Sequence, residues 1–364
     1  MTEADTTHDE THMARALALA ARGLNTTDPN PRVGCVVVRD GRIVGEGWHV
    51  RAGEAHAEVL ALRAAGPLAR GATVYVTLEP CNHTGRTPPC ADAVIAAGAA
   101  RVVCSSADPN PRVVGGGIER LRAAGIEVNV GVLAAAARDL NVGFFSRFER
   151  RRPFIRLKMA MSLDARTAPA AGGQLWISGE AARADVQKWR ARSSAILTGA
   201  GTVRTDDPRL DVRLAYGPWI RQPLRVLLDP MLSCSTRAKL FHGEATLVFA
   251  APDAPPRAQD SARVERLPRA AGGLDLHAVI ERLTELEVNE LWVECGPRLA
   301  AAFIASKLVD ELVLYVAPTL LGADAAPLMH VSGLGPPGSL PVFDYQDVQR
   351  IGDDLRLILT PRNP

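Results

Sequence analysis

The sequence predicts an α/β protein built from two domains. Three observations carry that expectation. Short β-rich runs alternate with helix-patterned runs along both halves of the chain. The alternation breaks once, at Asn141–Pro153, where Phe144-Phe145-Ser146-Arg147-Phe148-Glu149 leads into three consecutive arginines. Finally, 364 residues exceed one ordinary core, so two domains of roughly 150–200 residues are expected. The expected division is a disordered N-terminus at 1–10, a first domain at 11–150 and a second at 151–364.

Taken in order, a helix is expected from His12 to Gly23, with Met13, Ala16, Leu17 and Ala20 on one face. Val33–Val38 and Ile43–Trp48 read as strands joined through Asp40-Gly41, a strong hairpin signal. His56–Ala65 reads as a helix ended by Gly66-Pro67, Thr73–Leu78 as a strand, and Ala91–Ala97 as a helix stopped by Gly98. A strand at Arg101–Cys104, a helix at Ile118–Ala124 and a strand at Ile126–Val130 complete the first half. In the second half, Phe154–Ser162 is a strand and Gly179–Arg192 a helix behind Ser178 as N-cap. Strands follow at Ala195–Thr198, Leu224–Asp229, Thr246–Ala250, Leu291–Cys295 and Glu311–Ala317, with helices at Leu276–Glu285 and Arg298–Ser306. The Pro/Ala-rich Ala251–Arg269 reads as a loop.

Charge and composition narrow the function. The 42 basic and 40 acidic residues leave a net charge of +2, which argues against a nucleic-acid partner. No run approaches the ~20 apolar residues of a membrane span, and Met1–Glu10 lacks the features of a signal peptide. The six cysteines are scattered without the spacing of a disulfide scaffold. A reduced, cytoplasmic setting is therefore expected, in which clustered cysteines read as metal ligands or catalytic groups.

One cluster carries chemistry. His56-Ala57-Glu58, then Pro80-Cys81, then Cys90 match a zinc deaminase pattern of three ligands plus a carboxylate that is not a ligand. His56, Cys81 and Cys90 are the ligands, and Glu58 is the proton shuttle. Eight residues separate the two cysteines where the generic pattern has two, so this segment must loop out and return, stiffened by Pro88-Pro89. The bland alternatives are a helix-start histidine with two buried thiols, or a structural zinc with His83 as fourth ligand. That second alternative leaves Glu58 without a task.

The quoted residues resemble a known family. Asn30-Pro31-Arg32-Val33-Gly34, Gly47-Trp48-His49, His56-Ala57-Glu58, Thr77-Leu78-Glu79-Pro80-Cys81, Gly85-Arg86-Thr87-Pro88-Pro89-Cys90 and Asp108-Pro109-Asn110-Pro111 are similar to the bifunctional riboflavin-biosynthesis deaminase/reductases. The likeness continues through Lys158-Met159-Ala160-Met161-Ser162-Leu163-Asp164, Trp176-Ile177-Ser178, Asp206-Asp207-Pro208 and Glu294-Cys295-Gly296-Pro297. It implies a cytidine-deaminase-like first domain and a dihydrofolate-reductase-like second domain. The implied substrate is a diaminopyrimidinone carrying a ribosylamino 5′-phosphate, deaminated at its 2-amino group and then reduced by NADPH to the ribitylamino compound. Asn30, His49 and His83 would contact the first substrate.

The second half lacks a G-x-G-x-x-G fingerprint after a strand. It does offer Glu294-Cys295-Gly296-Pro297-Arg298-Leu299, a turn from a strand into a helix N-terminus suited to phosphate. The resemblance places NADPH along Ala160, Trp176, Thr202, Asp206 and the turn Gly296, Pro297, Arg298, Leu299. It places the substrate against Gln174, Arg190, Leu210, Arg213 and Glu294. Lys158, Asp206 and Glu294 are the candidates for the proton steps. A small-molecule partner, zinc, NADPH and a homo-oligomer are thus expected. The competing readings are a nucleoside or tRNA-base deaminase with a C-terminal binding domain, and a non-catalytic zinc module.

Overall fold

The computed structural model describes residues 3–82, 89–111, 113–170, 176–214, 221–243, 246–256, 262–332 and 340–362. The chain forms two compact units, Met1–Arg151 and Arg152–Pro364.

The first unit carries one five-stranded sheet. Its strands are β1 (Gly34–Arg39), β2 (Arg42–Trp48), β3 (Thr73–Val76), β4 (Arg101–Cys104) and β5 (Glu127–Val130), in the order β2-β1-β3-β4-β5. β1 pairs antiparallel with β2 and β3, whereas β3, β4 and β5 run parallel. Asp40 and Gly41, both at positive φ (50° and 72°), close the β1–β2 hairpin as an Asp-Gly turn should. β1 is buried on both faces and its side chains alternate. Cys35 and Val37 join one cluster with Ala57 and Ala61, while Val36 and Val38 join another with Met13, Ala16 and Leu19.

Helix α1 (Glu3–Ala20) covers the second cluster, and α2 (Ala57–Ala65) the first. α2 lies unusually close to β2. A Cβ at Gly45 would stand 2.2 Å from the Ala61 carbonyl oxygen, and one at Gly47 would stand 2.5 Å from that of Ala57. Only glycines let this helix sit flush on the strand, and that contact sets the position of His56 and Glu58 at its start. Helices α3 (Cys90–Ala97), α4 (Gly116–Ala123), α5 (Ala134–Leu140) and α6 (Val142–Glu149) complete the unit.

The second unit is built on a nine-stranded sheet. Its strands are β6 (Phe154–Ser162), β7 (Ala195–Gly199), β8 (Leu224–Leu228), β9 (Thr246–Ala250), β10 (Arg263–Arg266), β11 (Glu290–Glu294), β12 (Glu311–Ala317), β13 (Phe343–Ile351) and β14 (Asp354–Pro361). The order is β10-β9-β8-β7-β11-β6-β12-β14-β13, parallel except for the antiparallel β14 and β13 at one edge. Each face carries its own core. Leu157, Leu197, Leu291 and Val293 pack on α9 (Leu276–Glu285) and α10 (Pro297–Ala305). Ile196, Trp292, Val313 and Tyr315 face α7 (Glu180–Arg192) and α8 (Ala200–Asp206). β7 and β6 both neighbour β11, and the chain runs outward from them in opposite directions. Their C-terminal ends therefore mark the switch point where open α/β sheets build sites.

Several expectations need correction. Residues 3–10, expected to be disordered, form the first turns of α1, because Asp9 is buried in an ion pair with Arg101 and accepts the Tyr75 hydroxyl. The break at 141–153 contains α6, whose Phe144 and Phe145 pack against Leu78. Ser178 is not the cap of α7. Gly179 holds that position and donates its N–H to Asp354. The stretch 251–269 is not all loop, since β10 pairs there with β9.

Candidate active sites

The first constellation lies where two helix starts meet the end of β3. His56 is the N-cap residue of α2 and Cys90 the first residue of α3, while Cys81 follows β3 across a short turn. His56 Nδ1 stands 3.2 Å from Cys90 Sγ and 3.6 Å from Cys81 Sγ. All three donor atoms lie within 4.8 Å of one another, the one such group of three or more among the described residues. With Zn–N near 2.0 Å and Zn–S near 2.3 Å, tetrahedral ligand atoms sit roughly 3.5–3.8 Å apart, so the trio fits zinc, with no fourth donor among the described residues. The two thiols behave as one pair. The hydrogen bond shared with Cys90 holds Cys81 low, at about 4, and Cys90 is raised in turn.

Glu58 is 3% exposed and lies within hydrogen-bonding reach of Cys90 without belonging to the donor trio. Burial, partly opposed by His56, pushes its carboxyl up to about 7. His49 is also buried. Its ring meets the His56 ring edge-on at 5.2 Å, and its Nε2 is 3.0 Å from Asn30 Nδ2. His49 Nε2 therefore accepts from the Asn30 amide, while Nδ1 points at the Ala55 carbonyl oxygen at 3.3 Å. Burial lowers the His49 pKa, consistent with that neutral tautomer. His83 lies outside the described residues.

The second constellation gathers Glu294 at the end of β11, Lys158 in the middle of β6 and Asp206 at the last residue of α8. Lys158 pairs in register with Glu294, and its ammonium responds to Glu294, Arg190 and Asp206 together. Burial pushes Lys158 below its ordinary value, against Glu294 and Asp206. Burial likewise raises Asp206, opposed by Lys158. Glu294 behaves differently from the expectation of a proton carrier. Burial would raise it, but Arg190 grips both its oxygens (2.6 and 2.8 Å) and the Trp292 indole donates to it at 2.8 Å. The outcome is a carboxyl held down at about 2. That pairing keeps the Glu294 carboxylate ionised beside Lys158. Arg190, the expected substrate contact, is paired with Glu294 and also donates through Nη1 to the Asp211 carbonyl at 3.1 Å.

Other expected contacts separate by exposure. Trp176 is 69% exposed with the Arg183 guanidinium over its ring, as a surface platform for a ligand requires. Ala160 is half-buried on β6. Leu210 is packed into the core at φ 50°, so its backbone alone can face a ligand. Arg213 is exposed beside Asp211. Gln174 lies outside the described residues. The turns into α8 and α10 are capped by Gly199 and Gly296, both with extended backbone and neither with a side-chain cap. They lie side by side: a Cβ at Gly296 would stand 3.8 Å from Thr202 Oγ1, and one at Gly199 would stand 3.1 Å from Leu299 Cδ2. Thr198 Oγ1 is buried at the same strand end with no hydrogen-bond partner among the described residues. Uncapped first-turn N–H groups on adjacent helices fit the pyrophosphate of a dinucleotide. Arg298 is exposed on that first turn of α10 and Pro297 opens it.

The comparisons with known proteins match both halves. Residues 6–106 match the cytidine and deoxycytidylate deaminase zinc-binding region, and residues 153–357 match the RibD C-terminal domain. The riboflavin biosynthesis protein RibD of Escherichia coli is 48% identical over 96% of this chain and 99% of its own. That of Haemophilus influenzae is 45% identical over 96% of each.

The chain belongs to the RibD family.

Solved members agree in structure. Acinetobacter baumannii RibD superposes with a TM-score of 0.92 at 41% identity, over 98% of this chain and 100% of that one. A deaminase/reductase from Thermotoga maritima gives 0.87 at 33% identity, over 98% and 99%. As a RibD member the chain is a bifunctional deaminase and reductase of riboflavin biosynthesis that uses Zn²⁺ and NADPH. Its first domain is cytidine-deaminase-like and its second has the dihydrofolate-reductase-like fold of the RibD C-terminal domain. No described helix is long and apolar enough to cross a membrane. Glu79, part of the Thr77–Cys81 motif, is a buried carboxylate whose role the sequence does not show. Its only local signal is an acid two residues before Cys81, because its partners lie 29–39 residues downstream.

Proposed function

We propose that the first domain removes the 2-amino group of a diaminopyrimidinone ribosylamino 5′-phosphate, and that the second reduces the product's ribosylamino group to ribitylamino. The substrate pair follows the name of the Thermotoga relative, a diaminohydroxyphosphoribosylaminopyrimidine deaminase and 5-amino-6-(5-phosphoribosylamino)uracil reductase. The observation that carries this reading is the convergence of His56 Nδ1, Cys81 Sγ and Cys90 Sγ within 4.8 Å of one another, with buried Glu58 beside them.

His56, Cys81 and Cys90 hold the zinc, which when bound supplies a Lewis acid that makes a water acidic near neutral pH. Glu58, buried beside the three ligands, is placed to accept a proton from the attacking water and pass it to the departing ring amine. Asn30 and His49, hydrogen-bonded to each other beside His56, orient the ring. In the second domain the Gly296 turn, Thr202 and Trp176 hold NADPH, which supplies the hydride. Arg213 remains exposed enough to meet the ribose phosphate. Lys158 and Asp206 exchange the protons that open the sugar ring, and Glu294, fixed by Arg190, lies opposite Lys158 on the next strand and favours its charged form. Glu58→Gln in the full chain is expected to keep zinc and the reduction step while deamination falls at least ~10²–10⁴-fold. Deamination near the unaltered rate, or loss of zinc with activity, would contradict the assignment of Glu58.

We also infer a cytoplasmic homo-oligomer. The six free thiols support the compartment, and the outer strand β13, with Tyr345 and Val348 exposed, supports association. Light scattering that returned the mass of one 38.8 kDa chain would contradict the oligomer.

A further inference from the structure

We propose that Glu79 positions Cys81 as a metal ligand by capping helix α4 from outside that helix, a role that rests on the zinc site described above. Glu79 is 3% exposed, and four backbone N–H groups converge on its carboxylate. Asp108 N (3.2 Å) and Gly115 N (3.0 Å) donate to Oε2, and Gly117 N (3.0 Å) and Ile118 N (3.2 Å) donate to Oε1. These include the N-cap residue and part of the first turn of α4, whose own cap, Gly115, has no side chain to offer. Glu79 thus satisfies donors that a Ser or Asp at the cap would ordinarily satisfy, and its negative charge suits a helix N-terminus.

A second contact clamps the neighbouring residue. A Cβ at Gly117 would stand 1.8 Å from the Pro80 carbonyl oxygen, so the start of α4 rests directly on Pro80 and only glycine permits it. On the other side, Glu79 N donates to the Ser106 carbonyl at 2.9 Å. Cys81 comes next and is held in turn by α3: its Sγ accepts from Cys90 N at 3.3 Å, and its carbonyl oxygen accepts from Ala91 N at 3.2 Å. The thiolate is therefore fixed between the starts of two helices, and Glu79 is what joins α4 to that arrangement. Glutamine cannot replace it, because the amide Nε2 would face N–H donors where Oε1 or Oε2 now accepts.

The test uses the full-length protein loaded with Zn²⁺ or Co²⁺. Zinc release to a chelator and the cobalt–thiolate absorption spectrum are measured for Glu79→Gln and Gly117→Ala. Val102→Ala, a fully buried change in the same core, serves as a control for general loss of stability. Glu79→Gln is expected to release zinc about 10–100-fold faster and to shift the cobalt spectrum, beyond anything Val102→Ala produces at a matched loss of Tm. Should Glu79→Gln fail to fold, Gly117→Ala carries the same expectation, since it displaces α4 from Pro80 and leaves the carboxylate in place. Release and spectra that simply track Tm, as in Val102→Ala, overturn the role of Glu79 while leaving the zinc site standing. Failure of the unaltered chain to bind either metal overturns the site itself, and this proposal with it.

Discussion

At the scale of single residues, the zinc ligands could be read from sequence because each stands at a punctuated position: His56 before a helix, Cys81 after a strand, Cys90 behind two prolines. The pairing of Arg190 with Glu294 could not, because the partners are 104 residues apart and each alone looks like an ordinary charge. That pair makes a prediction. Glu294 has a folded-state pKa below its unfolded value, so its contribution to stability is present above the ordinary carboxylate range and lost as pH falls through about 2. Arg190→Met leaves that carboxylate buried without its main partner and should cost about 3–5 kcal/mol of second-domain stability at neutral pH. The variant's stability should also fall less than the unaltered chain's between about pH 4.5 and 2. Denaturant melts across that range check both expectations, and an unchanged midpoint at pH 7 would count against them.

Among the elements, strands buried on both faces and helices ended by Gly98 or Gly125 were legible, since apolar runs and breakers are local signals. The elements that escaped are held by distant partners. α1 begins nine residues before the expected start at His12, tied down by Arg101 and Tyr75. α6 is amphipathic but short, and β13, the edge strand, carries polar residues such as Gln346, Gln349 and Arg350 on exposed positions. The tie on α1 is testable. Asp9 meets Arg101 through two bonds (2.8 and 2.7 Å) and accepts the Tyr75 hydroxyl at 2.8 Å. Asp9→Ala removes the buried partner of Arg101 and of the Tyr75 hydroxyl, but Arg101 keeps Glu127 at 3.3 Å and is 20% exposed, so the expected loss is about 1–3 kcal/mol. Thermal melting of the first domain should reveal it. A melting curve identical to that of the unaltered chain would mean that the first turns of α1 are not held.

For the molecule as a whole, each unit has its own sheet and its own buried clusters. The deaminase half was legible because metal chemistry demands few residue types at tight spacing. The reductase half was less so, because two glycine-capped turns and a Lys–Asp pair resemble many α/β turns until the sheet order brings β6, β7 and β11 together. The central claim is that one chain performs two ordered steps. Purified full-length protein is incubated with the diaminopyrimidinone ribosylamino phosphate, with and without NADPH, and the products are identified by mass. Without NADPH the product should show only the exchange of an amine for an oxygen; with NADPH it should also gain two hydrogens. Gain of hydrogens without prior loss of the amine, or no change under either condition, would contradict the account.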